Sequence, residues 1–251
     1  ATPAMAKRWA RVIVGGLVVL AAAFSAPAGA RSVDIELVIA VDSSTSVDFD
    51  EFNLQVRGLA AAFRDPTVVA AVADGPRGAI SVAVFEWADP ASQMLAVPWT
   101  VIDGPATANA FARRLDGMTR QVPSGGTSIA GALAFASDLF QKNPHPGDHQ
   151  VIDLTADGRN NQGPAVDQLR DLLVARGITI NGMVILNDDA VLDGYFEDRV
   201  IGGPDAFVEV AADYTDYAKA IRRKLIREIR GLDIVRAPAQ QVGSLPAAAG
   251  D

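Results

Sequence analysis

Short apolar runs alternate along the chain with segments in which apolar residues recur every three or four positions, a pattern that predicts strands alternating with helices. Ile35 to Val41 (IELVIAV) is apolar on nearly every residue, as a strand buried on both faces requires, and it ends in a polar Asp-Ser-Ser-Thr-Ser cluster. Phe52, Val56, Leu59, Ala60 and Phe63 then recur at helical spacing, with Asp48 or Asp50 available as the cap. Asp65-Pro66 and Asp74-Gly75-Pro76 read as punctuation. Ala79 to Phe85 and Gln93 to Trp99 read as a second and a third strand. Glu86 to Ser92 is too short for a helical crossover, so these two should pair antiparallel, and Pro98 puts the third strand at the sheet edge.

Further on, Ala106 to Leu115 reads as helix, Pro123-Ser124-Gly125-Gly126 as loop, and Thr127 to Phe140 as helix again. His149 to Thr155 predicts the fourth strand, about Gly163 to Ala175 a helix, Ile178 to Leu186 the fifth strand and Ala206 to Val210 a short sixth. Tyr214 to Arg230 predicts a last amphipathic helix. Its apolar positions are Tyr217, Ala220, Ile221, Leu225 and Ile229, and its basic face carries Lys219, Arg222, Arg223, Lys224 and Arg227. The expected class is α/β: a doubly wound, mostly parallel six-stranded sheet with one antiparallel edge strand and helices on both faces. No internal repeat or linker divides it.

The first thirty residues follow a different pattern. Lys7, Arg8 and Arg11 precede an uninterrupted apolar run from Val12 to Phe24, and Ala28-Gly29-Ala30 supplies small residues for a signal peptidase. The run is shorter than the roughly 20 residues of a membrane-spanning helix. Residues 1–30 are therefore expected to be a cleaved export signal, with an uncleaved anchor as the competing reading. Residues 31–236 would form the folded domain, and Ala237 to Asp251, rich in Ala, Pro and Gly, a disordered tail. The protein would be periplasmic or secreted, with no stable membrane span after cleavage.

Composition narrows the chemistry. The 251 residues include no cysteine, which removes thiolate metal sites, cysteine nucleophiles and disulfides together. A net charge of −8 and 6% aromatic residues argue against nucleic-acid binding, which needs a positive surface or stacking platforms.

Ligands of an open α/β sheet bind beyond the carboxyl ends of its strands. Three loops expected there are rich in oxygen: Asp42-Ser43-Ser44-Thr45-Ser46, Gly125-Gly126-Thr127 and Thr155-Ala156-Asp157-Gly158-Arg159-Asn160. Carboxylates and hydroxyls without His or Cys suit a hard divalent cation. Residues 42, 44 and 46 share one side of a locally extended loop, and the glycines allow a close approach of the backbone that carries Thr127. Each fragment alone also reads as an ordinary turn or helix cap.

Asp-x-Ser-x-Ser after the first strand, Gly-Gly-Thr, and Thr-x-Asp-Gly after the fourth strand together resemble the von Willebrand factor type A domain. The resemblance covers roughly Val33 to Glu228. Leu-Thr-Ala-Asp-Gly-Arg-Asn-Asn and Ala-Ile-Arg-Arg-Lys-Leu-Ile-Arg-Glu-Ile are similar to its bacterial secreted DUF1194-type branch. The resemblance implies a metal-ion-dependent adhesion site of Asp42, Ser44, Ser46, Thr127 and Asp157. The serines would touch the cation, most simply Mg²⁺ with Mn²⁺ or Ca²⁺ as alternatives, and an acidic group of a partner would complete its coordination. The expected function is metal-dependent binding of a protein or other ligand without catalysis, the rival being a metal-assisted hydrolase that uses the same cation.

Other features weigh less. Gly126-Thr127-Ser128-Ile129-Ala130 narrowly misses a nucleophile elbow, and there is no Gly-Lys-Ser/Thr for a nucleoside triphosphate. His145 and His149 read as a solvated loop pair able to bind a metal adventitiously. Asp189 to Gly194 resembles the start of a calcium loop only superficially, because Val191 and Val200 fall where such a loop needs oxygens. Arg159 stands beside the expected site and would either steer an acidic partner or be solvated.

Overall fold

A computed structural model describes residues 29–234. The export signal and the C-terminal tail expected from the sequence lie, but for a few flanking residues, outside the described residues. One six-stranded sheet runs in the order β3-β2-β1-β4-β5-β6, with β1 Val33–Asp42, β2 Ile80–Trp87, β3 Gln93–Ile102, β4 Gly147–Ala156, β5 Ile178–Ile185 and β6 Val208–Ala211. All neighbours pair in parallel except β2 with β3, which are antiparallel and leave β3 at the edge as expected.

The side-chain alternation of β1 divides the core. Ile35, Leu37, Ile39 and Val41 pack into one apolar cluster, and Val38 and Ala40 into the other. The first cluster lies under α1 (Phe49–Arg64), α2 (Pro66–Asp74), α3 (Pro105–Asp116) and α7 (Tyr217–Ile234). The second lies under α4 (Ile129–Phe140), α5 (Val166–Ala175) and α6 (Leu192–Arg199). The polar exceptions in β1, Asp34 and Glu36, sit at its amino end and fasten loops there. Asp34 accepts from the backbone N–H of Arg77 at 2.9 Å and Glu36 from that of Gly147 at 2.8 Å.

Two helices depart from the sequence reading. The stretch between Asp65-Pro66 and Asp74-Gly75-Pro76 is helix α2 rather than punctuation alone. Pro66 occupies its first turn, where a missing N–H costs nothing, and the Asp65 side chain accepts from Thr67 N. Residues Leu192–Arg199 form α6, which buries Leu192 and Phe196 under β5. Asp48 caps α1 and forms a capping box with Glu51.

The last helix carries a larger correction. Its five expected apolar positions are all buried, but Lys224 does not belong to a solvated basic face: its side chain is fully buried. Lys224 Nζ lies 2.8 Å from Asp153 Oδ1 of β4 and 3.1 Å from Glu228 Oε1, and Asn181 of β5 donates to that same Glu228 oxygen. Lys224 and Glu228 sit on the line 217, 221, 224, 228, the inward stripe of the helix. Burial pulls the Lys224 amine down and the charges of Asp153 and Glu228 push it up, with a net upward shift.

Helix α7 descends along β4. Its approach places Tyr214 at Asp157, Tyr217 beside Thr155 and Lys224 at Asp153. It therefore runs from the carboxyl edge of the sheet to the amino edge, where β1 begins.

Candidate metal centre

In this strand order the chain reverses direction of travel between β1 and β4, so the connections leaving their carboxyl ends diverge and open a crevice. The sequence places its oxygen-rich loops at that crevice. Asp42 is the last residue of β1, Ser44 and Ser46 follow in the β1–α1 loop, Thr127 stands two residues before α4, and Asp157 follows β4 directly.

The structure brings all five together. Ser46 Oγ donates to Asp157 Oδ1 at 2.7 Å and lies 3.1 Å from Ser44 Oγ. Asp42 Oδ1 accepts from Ser44 N at 2.7 Å, which folds the loop back over the strand end. A side chain built on Gly158 would come within 3.9 Å of Thr127 Oγ1, so Thr127 faces the Asp157 turn. Two hydrogen bonds clamp that approach: Thr127 N donates to Asn161 Oδ1 at 2.8 Å, and Asn161 N donates to Thr127 O at 2.9 Å. A Cβ at Gly126 would fall 2.4 Å from the Gln162 side-chain amide, so the glycine is covered directly by that side chain.

The electrostatics are those of an unneutralised site. Asp42 is fully buried, and among the described residues its Oδ2 has no hydrogen-bond partner of good geometry. Burial, then the neighbouring charge of Asp157, pushes the Asp42 carboxyl up to about 7. Burial likewise raises Asp157, opposed by donors from Ser46 and from Tyr214, whose hydroxyl reaches Asp157 Oδ2 at 2.8 Å. Asp188 adds further negative charge beside Asp157. A buried carboxylate oxygen short of donors, next to a second carboxylate and flanked by hydroxyls, suits a proton or a hard cation. The donor set of two carboxylates and three hydroxyls therefore fits a divalent metal of the Mg²⁺ type.

Several residues that shape the centre escaped the sequence reading. Gln55, fully buried in α1, donates to Asp42 O at 3.2 Å. Arg120, between α3 and α4, grips the backbone of the β1–α1 loop. Tyr214 reaches Asp157 from the turn before α7. Nothing local in the sequence marks these residues, since each acts across 13 or more positions of chain. Arg159 is paired with Asp189 at 2.6 Å and lies 5.3 Å over the Tyr195 ring. His145 and His149 belong to the opposite edge of the sheet, where His145 Nδ1 accepts from Arg31 N. They take no part in the centre.

Fold and sheet order are those seen in von Willebrand factor type A domains, a Rossmann-like sheet with an antiparallel edge strand. Residues 32–233 match the family described as Protein of unknown function (DUF1194), and the chain belongs to that family. No curated protein matches the sequence. Among solved structures, proximal thread matrix protein 1 of the mussel byssus aligns over 82% of this chain at 16% identity and a TM-score of 0.55. That alignment spans 49% of the mussel protein, about half its length. A further crystal structure of the mussel protein, described as having a zinc-occupied MIDAS motif, aligns with a TM-score of 0.52 at 16% identity, over 82% of this chain and 49% of that one. The vWF domain of the type V pili tip protein Mfa5 from Porphyromonas gingivalis aligns over 82% of this chain and 97% of its own, at 11% identity and a TM-score of 0.56. At these identities the likeness is one of fold.

Proposed function

We propose that this protein is an exported binding module whose ligand contact depends on a divalent cation held by Asp42, Ser44, Ser46, Thr127 and Asp157. The observation that carries the reading is Asp42 Oδ2, buried and without a well-formed hydrogen bond among the described residues, beside Asp157. Mg²⁺ is the first choice, because small hard cations accept hydroxyl and carboxylate oxygens and keep several waters. Bound there, the cation would supply a directional positive charge on an otherwise acidic rim. A carboxylate or similar acidic group of a partner protein is the chemistry that replaces one of its waters. The zinc-occupied motif in the mussel protein and the pilus-tip role named for Mfa5 support a binding rather than a catalytic use. So does the position of both histidines, the obvious general bases, at the far edge of the sheet.

The test is thermal. Mg²⁺ should raise the melting temperature in proportion to the logarithm of its concentration once it exceeds the dissociation constant. Asp42→Ala should abolish that rise, whereas His145→Ala with His149→Ala should preserve it. A rise that survives Asp42→Ala would place the cation elsewhere. A pull-down from envelope extract in Mg²⁺ against chelator then identifies the partner.

A further inference from the structure

We infer that Arg120 selects which divalent cation the centre accepts, by occupying the backbone carbonyls that a larger ion would need. The inference rests on the metal-site reading above. Arg120 Nη1 donates to Val47 O at 2.6 Å, and Nη2 donates to Ser43 O at 2.6 Å and to Ser44 O at 3.1 Å. One guanidinium thus holds three carbonyls of the very loop that carries Ser44 and Ser46. Its planar fork matches such an array, whereas a lysine ammonium offers only a point charge. Arg120 is itself aimed from behind: the buried Glu86 accepts from the backbone N–H groups of Gln121 at 2.9 Å and Val122 at 3.1 Å.

The other carbonyls bordering the centre are engaged as well. Gly125 O accepts from Thr45 N at 2.9 Å and from Thr45 Oγ1 at 2.7 Å. Thr127 O accepts from Asn161 N and Gln162 N. The oxygens gathered for a cation are those of side chains, two carboxylates and three hydroxyls, while these loop carbonyls are already held. Ca²⁺ takes about 6–8 oxygens at roughly 2.3–2.6 Å, often drawing on backbone carbonyls, whereas Mg²⁺ is satisfied by few protein ligands and several waters. Turning the loop carbonyls toward Arg120 therefore withholds from Ca²⁺ what it needs and leaves Mg²⁺ unharmed. Loss of the guanidinium would release Ser43 O and Val47 O, leave Ser44 O held only by Val47 N at 3.1 Å, and let the loop rotate its carbonyls inward.

The experiment measures Mg²⁺ and Ca²⁺ dissociation constants by calorimetry on wild type, Arg120→Met and Arg120→Lys, with circular dichroism confirming the fold. Wild type should favour Mg²⁺. Arg120→Met should shift the Ca²⁺/Mg²⁺ affinity ratio toward Ca²⁺ by about tenfold, and Arg120→Lys by less, since one ammonium cannot span three carbonyls. If Arg120→Met does not fold, the lysine variant carries the same test. Equal loss of affinity for both ions, or an unchanged ratio, would overturn the selectivity role and reduce Arg120 to a brace. Wild type that binds neither ion while folded would overturn the metal-site reading itself, a result separate from either.

Discussion

Burying a carboxylate oxygen short of donors costs several kcal/mol of lost hydration unless a proton or a cation comes to it, and Asp42 Oδ2, without a well-formed hydrogen bond among the described residues, stands in that position beside Asp157. In the metal-free protein at neutral pH the pair is a local fault. Asp42→Asn keeps the shape, removes one of two facing charges and turns one carboxylate oxygen into an N–H₂ donor beside the Asp157 acceptor. The metal-free variant should therefore melt above wild type at pH 8, by the ~1–3 kcal/mol that an unsatisfied buried group costs, and should no longer respond to Mg²⁺. Thermal melts with and without the cation check both outcomes, and a variant melting below wild type would contradict the argument. At this scale the sequence was informative about ligand-type residues and silent about their supports. Asp42, Ser44, Ser46, Thr127 and Asp157 sit in short local motifs with turn chemistry, so residue type and spacing expose them. Gln55, Arg120 and Tyr214 act through contacts made only after the fold has closed.

At the scale of elements, α7 bears a buried charge cluster with more negative than positive groups. Asp153, Glu228 and Lys224 face one another, with the Tyr217 hydroxyl beside them. Burial pushes Asp153 up to about 7, against the pull of Lys224 and with added repulsion from Glu228. The sign follows from proton counts: between the ordinary value of 3.8 and about 7, the folded chain holds a proton that the unfolded chain has lost. The contribution of Asp153 to stability is therefore full below about 3.8 and is lost progressively as pH rises from there to about 7. Asp153→Asn should flatten this part of the pH profile of urea stability, leaving the profile of Asp42 in place. Lys224→Met should destabilise by ~3–5 kcal/mol at pH 8, because two carboxylates are left buried without their cation. A Lys224→Met variant of wild-type stability would return the lysine to the solvated face that periodicity alone suggests.

That contrast shows where elements are legible. The strands were readable because a strand buried on both faces needs an apolar run, as β1 and β5 have. Helix α2 hid because its Asp-Pro and Asp-Gly-Pro borders look like turns, and α6 because two buried side chains make no visible period. Lys224 was misread as surface by residue type, although its position on the inward stripe carried the opposite message.

For the molecule as a whole, the two apolar clusters meet across one sheet, and β1 contributes to both. Neither layer can dissolve without exposing the other, so unfolding should be a single cooperative transition. Trp87 is fully buried in β2, next to the edge strand, and reports on the sheet margin. With Trp99 of the edge strand replaced by Phe, the emission of Trp87 and the far-UV circular dichroism should give the same urea midpoint. An earlier fluorescence transition would mean that the edge hairpin opens independently.

The course of α7 has one more consequence. Its 18 residues descend by about 27 Å, so Val33 and Ile234 both leave the body at the pole opposite the crevice. Whatever holds this chain by either side, a surface, a fusion partner or a neighbouring copy, holds it by the foot. The five oxygen donors then stand at the crown, like the working end of a probe on its stalk. Attachment through either flank should leave them facing outward.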